Sequence, residues 1–364
     1  MTEDGRQRTD HKAAASNIRP PSSVVRPLSY AQRFEDLYLM RCFGGRTDGF
    51  YIDIGSGHPV YDNVSFAFYL QGWSGITVEP NPWLARLSRA VRPRDRHVEA
   101  LVGSACGEAT FYLVREFHGL STMIEPHAQA ALTRFGKRAD AITVPLTTLS
   151  ALCDGQAPAA FDFLKIDVEG AEPEVLFGGD WRRFRPKLLV VEALAPYTLA
   201  PAFEQWEPFL AQHGYRYVWF DSLNRYYLAE EAGELAGCFT TAPAAFEDAV
   251  AFRDTGPALT DQAHPDHRLA VLLGNAVMTR LPVLDRALLT ELLTAGIPAA
   301  ELDRRAEAAD LARIWRELFG PQGAPESANL KLPADASIRT LYGAIIESDL
   351  FRAACGRISA SYGW

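Results

Sequence analysis

The chain has 364 residues, which is long enough for one large domain and a smaller one. Its net charge of −9 argues against a nucleic acid partner, which would require a basic face. Its five cysteines are scattered and never form a Cys-x-x-Cys pair, so they indicate reduced thiols rather than disulfides or a zinc site. No apolar run approaches the roughly 18 residues of a membrane span. The polar N-terminus lacks the apolar middle of a signal peptide, so we expect a cytoplasmic protein.

The first part of the chain is predicted to be a tail followed by a helix. Residues 1–26 are rich in charge, Ser and Pro, and they are short of large apolar side chains, so we expect a disordered N-terminal tail. The segment Ser29–Asp36 then opens an amphipathic helix, with Ser29 as its candidate N-cap.

Strand and helix patterns alternate between residues 49 and 228. The predicted strands are Phe50–Ile54, Gly75–Glu79, His97–Val102, Phe161–Asp167, Lys187–Glu192, Tyr215–Phe220 and Arg225–Leu228. Strands separated by helices imply a parallel α/β sheet with both faces covered. The last two strands are joined by the polar turn Asp221–Asn224, which predicts an antiparallel hairpin at one edge. A mostly parallel, Rossmann-like sheet with an antiparallel terminal hairpin is typical of class I methyltransferases that use S-adenosylmethionine (SAM).

The character of the sequence changes after residue 245. Pro257, Asp261 and His264 mark a linker, and three amphipathic helices are predicted at Arg286–Ala295, Ala299–Phe319 and Ser337–Cys355. We therefore predict an α/β domain over residues 27–244 and a helical C-terminal domain of unknown role over residues 245–364. Two roles stay open for this C-terminal domain. It could be a lid, or it could be an oligomerisation module that forms a homo-oligomer.

A glycine turn after a buried strand is the strongest local signal. The segment Tyr51–His58 is an apolar strand that reaches Asp53 and then bends at the turn Gly55-Ser56-Gly57. Glycine lets the backbone lie against a ligand more closely than a residue with a Cβ could. Glu79 ends the next strand about 25 residues later, the offset at which α/β nucleotide sites bind ribose hydroxyls. Because Val60 stands where a dinucleotide fold has its third glycine, the pattern favours SAM over NAD.

These strand ends predict which residues hold the donor. We expect the Glu79 carboxylate to bind the ribose hydroxyls and Asp53 to lie near the methionine ammonium. The turn glycines would lie under the donor. The third strand end, Ala100–Val102 with Leu101 at its centre, would face the adenine.

Acidic residues at two further strand ends are the candidates for catalysis. Asp167, Glu169 and Glu172 follow the fourth strand, and burying three carboxylates is costly unless they are paired, protonated or metal-bound. The alternative for Glu172 or Glu174 is a place in the first turn of a helix, where acids complement the helix dipole. Glu192 ends the neighbouring strand, so Asp167 and Glu192 are a candidate Mg²⁺ pair that would lower the pKa of an acceptor hydroxyl. The alternative is metal-free general-base catalysis by Asp167, Glu169 or His58.

Taken together, these motifs resemble the FkbM family of SAM-dependent methyltransferases over about residues 29–228. The matching segments are Ser29–Asp36, Tyr51–Gly57, Gly72–Pro82, Leu120–Thr122, Phe163–Glu172 and Asp221–Tyr227. The resemblance implies O-methylation of a hydroxyl on a sugar, a polysaccharide or a polyketide-type natural product, so the expected partner is a small-molecule or glycan acceptor.

The same resemblance implies roles for further residues. Gln32, Glu35 and Asp36 would belong to a helix that caps the donor site. Ser121 and Thr122 would form a Ser/Thr pair that faces the acceptor, and the Asn81 amide would help to fix the nucleoside. Two rival functions stay open at this point: a non-catalytic SAM-binding scaffold subunit and an NAD-dependent oxidoreductase.

Overall fold

The computed structural model describes residues 27–114, 118–196, 198–239, 246, 248–320, 330 and 332–362. The predicted tail over residues 1–26 lies outside the described residues. Contacts along the chain divide it into two compact units, Met1–Asp254 and Thr255–Trp364. This division falls later than the predicted one at 244/245, because Phe246 packs against Phe34 and Tyr38 of the first unit.

The strands belong to the first unit. In chain order they are β1 (Leu28–Ser29), β2 (Phe50–Ile54), β3 (Ser74–Val78), β4 (Arg96–Val98), β5 (Leu101–Gly103), β6 (Gly107–Leu113), β7 (Asp140–Thr148), β8 (Ala160–Ile166), β9 (Arg185–Glu192), β10 (Tyr215–Phe220), β11 (Asn224–Ala229) and β12 (Val250–Ala251).

Helices occur in both units. The helices of the first unit are α1 (Glu35–Phe43), α2 (Phe66–Leu70), α3 (Pro82–Val91), α4 (Glu125–Phe135), α5 (Leu149–Cys153), α6 (Glu172–Phe177) and α7 (Glu207–Gln212). The helices of the second unit are α8 (His267–Arg280), α9 (Arg286–Leu293), α10 (Ala299–Asp303), α11 (Ala308–Phe319), α12 (Ile338–Glu347) and α13 (Asp349–Ser361). Short 3₁₀ segments lie at His118–Leu120, Phe203–Gln205, Glu230–Phe239, Phe252–Asp254 and Leu281–Val283.

The main sheet has the strand order β10-β11-β9-β8-β2-β3-β4. The strands from β9 to β4 pair in parallel, whereas β11 is antiparallel to both β9 and β10. The predicted α/β class and the antiparallel terminal hairpin are therefore confirmed. Because the strand order reverses at β2, the carboxyl ends of β2 and β8 border a switch point, where α/β sheets bind ligands.

The predicted strand His97–Val102 is wrong as a single element. It is divided between β4, which pairs with β3 in the main sheet, and β5, which pairs with β7 in a separate sheet of order β5-β7-β6. The chain leaves the main sheet after Val98, whose carbonyl accepts a hydrogen bond from the Glu79 amide at 3.0 Å. This departure carries Ala100–Val102 past the end of β3.

Side-chain alternation along the strands separates two apolar clusters. Ile52 and Ile54 belong to one cluster with Leu164 and Ile166, whereas Tyr51 and Phe163 belong to the other. Asp53 therefore shares a face with Tyr51 and not with the isoleucines on either side of it. Its neighbour across the strand pair is Lys165, because Asp53 and Lys165 stand opposite each other in the β2–β8 register.

The first helix begins later than predicted. Ser29 is not its N-cap, because Ser29 is extended and pairs with Ala251 in the small β1–β12 sheet. Helix α1 starts at Glu35 after Phe34, which has φ 63°. The Ser29 hydroxyl still stabilises this start, since it donates a 2.6 Å hydrogen bond to Asp36 Oδ1.

The second unit is helical. Its core is formed by Leu302, Ile314, Trp315, Ile338, Leu341, Tyr342 and Ile345. The predicted helix Ala299–Phe319 is two helices, because a capping box between Glu307 and Asp310 starts α11 afresh. The predicted helix Ser337–Cys355 is also divided, since Ser348 caps α13 by accepting from the Phe351 amide.

Helix α8 follows the predicted linker, in a segment for which the sequence predicted no element, and none of its residues, all of them described, is buried. Within the described residues, no helix combines the length and the apolar character needed to cross a membrane. A homo-oligomer through the C-terminal helices stays a prediction.

Candidate active site

A cleft opens where β2, β3 and β8 end. Most of the predicted site residues line it: Gln32, Gly55, Ser56, Gly57, His58, Glu79, Leu101, Ser121, Asp167 and Glu169. Within the described part of the chain, the lining does not include the predicted residues Glu35, Asp36, Asp53, Asn81, Thr122 and Glu192. The structure thus brings the glycine turn, the second strand-end acid and two candidate catalytic acids into one cavity.

The glycine turn is shaped by positive φ angles and by close contact with the neighbouring loop. Gly55 and Gly57 have φ +71° and +58°. A Cβ on Gly55 would lie 1.7 Å from the carbonyl oxygen of Asp167, so no larger residue fits there. The amides of Gly55 and Ser56 both donate to the carbonyl of Val78, at 3.0 and 3.1 Å. The turn is therefore held between the ends of β3 and β8.

Glu79 lies directly behind this turn. One of its carboxylate oxygens accepts from the Gly57 amide at 2.9 Å, and the other accepts from the Asn81 amide at 2.8 Å. Burial raises the pKa of Glu79 to about 7. Each oxygen of a carboxylate has a second lone pair, so the group can still accept hydrogen bonds from a diol in the cleft.

Asn81 has a structural position beside Glu79. Its side-chain oxygen accepts from the amides of Trp83 and Leu84, at 3.0 and 3.5 Å, and so caps helix α3. Its predicted contact with a nucleoside stays a prediction.

The cleft also has an apolar wall. Ala100, Leu101 and Val102 are buried, and Phe111 of β6 lines the cleft beside them. A flat heteroaromatic group would bury its faces on such a wall. The division of the predicted third strand is what places these residues at the cleft.

Lys165 is a site residue that the sequence reasoning missed. Its ammonium donates to the carbonyl of Gly55 at 3.1 Å and pairs with Asp167 Oδ2 at 3.1 Å. It also lies 3.8 Å from Asp53 Oδ1. Burial alone would lower the pKa of Lys165, but Asp167 and Asp53 raise it above its ordinary value. The signal available in the sequence was its spacing two residues before Asp167, which places both on one face of the strand.

Asp53 lies below the cleft. It is 1% exposed, and its Oδ2 accepts a 2.6 Å hydrogen bond from the Ser65 hydroxyl. Its Oδ1 is buried beside the Lys165 ammonium and has no hydrogen-bond partner. Because side chains alternate along the strand, this carboxylate points to the same face of the sheet as Tyr51. It therefore stabilises the ion pairs of Lys165 beneath the glycine turn. Its predicted role at a methionine ammonium stays a prediction.

The opening motif is organised around Gln32, which lines the cleft. The buried Glu35 carboxylate accepts from the Arg33 amide at 2.5 Å and from the Asn224 side chain at 2.9 Å. Asp36 accepts from the Tyr30 amide at 2.7 Å. The two acids therefore fix the backbone that presents Gln32.

Carboxylates gather beside Lys165. Burial and the nearby charges of Asp167 and Glu172 raise the pKa of Glu169 well above its ordinary value. Burial, and next the charge of Asp167, does the same for Glu192, which is hydrogen-bonded to Asp167. Glu172 is different, because it accepts from the amides of Val168 and Gly170 and holds the loop, although burial raises its pKa to about 7.

This arrangement favours the neutral form of Glu192 beside Asp167. In the described part of the chain, no group of three or more His, Cys, Asp or Glu side chains is placed to hold a metal ion. The prediction of Mg²⁺ at Asp167 and Glu192 therefore gains no support.

The loop that carries Glu169 is strained and tightly held. Glu169 has φ +55°, which is costly for a residue with a side chain. Its carbonyl accepts from the hydroxyl of Thr122 and from Nδ1 of His127, both at 3.1 Å. Thr122 is thus a buried support for this loop, whereas Ser121 faces the cleft and accepts from the Val114 amide at 2.9 Å.

His58 lies at the mouth of the cleft. Its Nδ1 accepts from the amides of Val60 and Tyr61, at 3.2 and 3.0 Å. A neutral ring with Nδ1 as acceptor carries its proton on Nε2, so a general base acting through Nδ1 is not available here.

The residues of this cleft fall mostly within one recognised domain. The family model described as "Methyltransferase FkbM domain" matches residues 53–217. The chain contains a domain of the FkbM methyltransferase family. This match confirms the predicted resemblance and supports a SAM-dependent methyltransferase over an oxidoreductase. Gln32 and the other residues of the opening motif precede the matched segment of the FkbM domain.

Other comparisons add little to the FkbM assignment. None of the curated proteins compared matches the chain. Among solved structures, it is similar to a TehB-like SAM-dependent methyltransferase from Corynebacterium glutamicum ATCC 13032 Kitasato, with 12% sequence identity and a TM-score of 0.31. That similarity covers 54% of this chain and 87% of the other.

Proposed function

We propose that this chain is a SAM-dependent O-methyltransferase whose single cleft holds both the donor and the acceptor hydroxyl. The observation that carries the proposal is the joint placement of the glycine turn, Glu79, Asp167 and Glu169 around one cavity. A donor-binding scaffold would need the first two of these features. The two acids add a group that can take a proton.

The donor half of the cleft fits SAM. Glu79 offers carboxylate lone pairs to the ribose hydroxyls, and the turn at Gly55 and Gly57 allows the backbone to lie against the methionine end. The wall formed by Leu101 and its neighbours fits the adenine ring. When bound, SAM supplies a methyl group on a sulfonium, whose C–S bond breaks as the acceptor oxygen forms a C–O bond.

The acceptor half of the cleft supplies the proton chemistry. Asp167 receives the hydroxyl proton in our proposal, since it faces the cleft and is oriented by Lys165 at 3.1 Å. Glu169, with its raised pKa, donates a hydrogen bond to a second oxygen of the acceptor. Gln32 and Ser121 add polar contacts. This set suits a polyhydroxylated acceptor, and we propose a sugar, a polysaccharide or a polyketide-type natural product.

Binding of the product analogue S-adenosylhomocysteine tests the donor half. We expect isothermal titration to show binding by the wild type, a loss of at least about 10-fold in Glu79→Ala and no response to NAD. Glu234→Ala is a matched control, because Glu234 is an exposed glutamate away from the cleft lining. Binding of NAD but not of S-adenosylhomocysteine would contradict the proposal.

Catalysis is tested separately with Asp167→Asn. In a screen of polyhydroxylated acceptors with labelled SAM, we expect this variant to bind donor and to lose methyl transfer by at least about 100-fold, the range for a proton-transferring side chain. The scaffold function would be favoured instead if the folded wild type binds the donor and the Asp167→Asn variant still serves the same cellular role as the wild type.

A further inference from the structure

A buried amide lies directly behind the glycine turn. Asn63 is 1% exposed, and its side-chain NH₂ donates to the carbonyls of Ser56 at 2.9 Å and His58 at 3.2 Å. Both acceptors belong to residues that line the cleft. One side chain thus fixes two peptide groups of the loop that follows β2.

Asn63 is itself held by a buried guanidinium. Arg92 is 0% exposed, and its Nη1 donates to Asn63 Oδ1 at 2.9 Å and to the Pro59 carbonyl at 3.4 Å. The Phe66 amide donates to the same Asn63 oxygen at 2.8 Å. The Ser65 hydroxyl also lies within hydrogen-bond distance of this oxygen, at 3.2 Å. The donors around its oxygen leave the NH₂ of Asn63 directed at the loop carbonyls, so the orientation of the amide is determined.

The remaining donors of Arg92 reach the strands beneath the cleft. Its Nε donates to Asp95 at 2.8 Å, and its Nη2 donates to the hydroxyls of Tyr51 and Ser65, both at 2.9 Å. The Ser65 hydroxyl in turn donates a hydrogen bond to Asp53. All five N–H groups of the guanidinium therefore have acceptors, which a lysine with three donors could not reproduce.

We propose that Asn63 and Arg92 are positioning residues for methyl-donor binding, because they hold residues 56–59 in the shape that the donor requires. In the described part of the chain neither side chain belongs to the cleft lining, so their effect passes through the loop backbone. The donor-binding part of this inference rests on the proposed function. The positioning of the loop does not.

The test is the substitution Asn63→Asp, which keeps an oxygen for Arg92 and for the Phe66 amide but removes both donors to the loop. We expect amide hydrogen exchange in the peptide spanning residues 55–61 to speed up by at least about 10-fold, from the loss of two hydrogen bonds. The dissociation constant for S-adenosylhomocysteine should rise by about the same factor. Exchange in β9 should not change, since β9 is an internal strand of the main sheet.

Asn275→Asp is the matched control, because it makes the same chemical change at an exposed position of α8. If Asn63→Asp does not fold, Asn63→Ala replaces it, and Arg92→Lys gives an independent variant with the amide intact. We expect Arg92→Lys to reproduce the faster loop exchange, because Asn63 loses its oriented partner.

The outcomes separate the two proposals. Unchanged exchange in residues 55–61 of a folded Asn63 variant would overturn the positioning role. Faster exchange without weaker binding would overturn the link to the donor. If the wild type binds no S-adenosylhomocysteine, the proposed function fails, and the exchange measurement alone then decides whether Asn63 positions the loop.

Discussion

Replacing Glu79 by glutamine would test how the strand-end acid works. Both carboxylate oxygens accept backbone N–H groups, from Gly57 and from Asn81. Glutamine has one oxygen, so one of these buried amides would face an NH₂ group, at a cost of about 1–3 kcal/mol in stability. Loss of charge-assisted hydrogen bonds to a ribose diol would weaken donor binding by roughly 1.5–3 kcal/mol, or about 10- to 100-fold.

The raised pKa of Glu79 adds a pH dependence that glutamine cannot have. Burial raises the pKa of Glu79 from its ordinary value of 4.5 to about 7, so the folded state holds the proton more tightly than the unfolded state. Stability therefore falls as pH rises from about 4.5 to about 7, by about 3 kcal/mol in total from this group. If the ionised form binds the diol, donor affinity should rise about tenfold between pH 6 and pH 8.

Isothermal titration with S-adenosylhomocysteine at pH 6, 7 and 8, beside urea unfolding at the same pH values, measures both effects. Other buried acids in the cleft also titrate, so the informative quantity is the difference between the wild type and Glu79→Gln. We expect the affinity of the variant to change less with pH than that of the wild type. An identical pH profile in both proteins would refute the assignment of the titrating group to Glu79.

Three further substitutions test other parts of the structure. Gly55→Ala places a Cβ 1.7 Å from the Asp167 carbonyl at φ +71°, so titration should show at least about 100-fold weaker binding of S-adenosylhomocysteine. Lys165→Met leaves the Asp167 and Asp53 carboxylates without their shared cation, and urea unfolding should show a loss of about 3–5 kcal/mol. Trp315→Ala empties the core of the second unit, and we expect about 3–5 kcal/mol less stability in urea, with donor affinity unchanged.

Much of the fold was predictable because its signals are local. Parallel strands buried on both faces have continuous apolar sequences, and the turn at Gly55 needs a residue without a Cβ. The start of α1 was not predictable from its own residues. Ser29 pairs with Ala251, which is distant in the sequence, and this pairing takes Ser29 out of the helix. Similarly, β5 leaves the main sheet to pair with Leu146 and its neighbours in β7.

The candidate site was only partly predictable because strand ends do not reveal which side chains face the cleft. Asp53 and Glu79 both follow apolar strand residues, yet in the described part of the chain only Glu79 lines the cavity. Asp53 faces Lys165, and that contact depends on β2 pairing with β8, which lies more distant in the sequence. Lys165 was missed for the same reason, since its role is defined by groups from two strands.

The acids beside Lys165 differ in their surroundings, and this difference assigns their roles in the proposed reaction. The ammonium lies 3.1 Å from Asp167 and 3.8 Å from Asp53, so the carboxylate closer to it is the acid that faces the acceptor. Glu169 and Glu192 have pKa values raised by burial and by their acidic neighbours, which favours their neutral, proton-donating forms. A hydroxyl between Asp167 and Glu169 would therefore meet an acceptor on one side and a donor on the other. In the proposed reaction, this asymmetry favours transfer of the hydroxyl proton to Asp167.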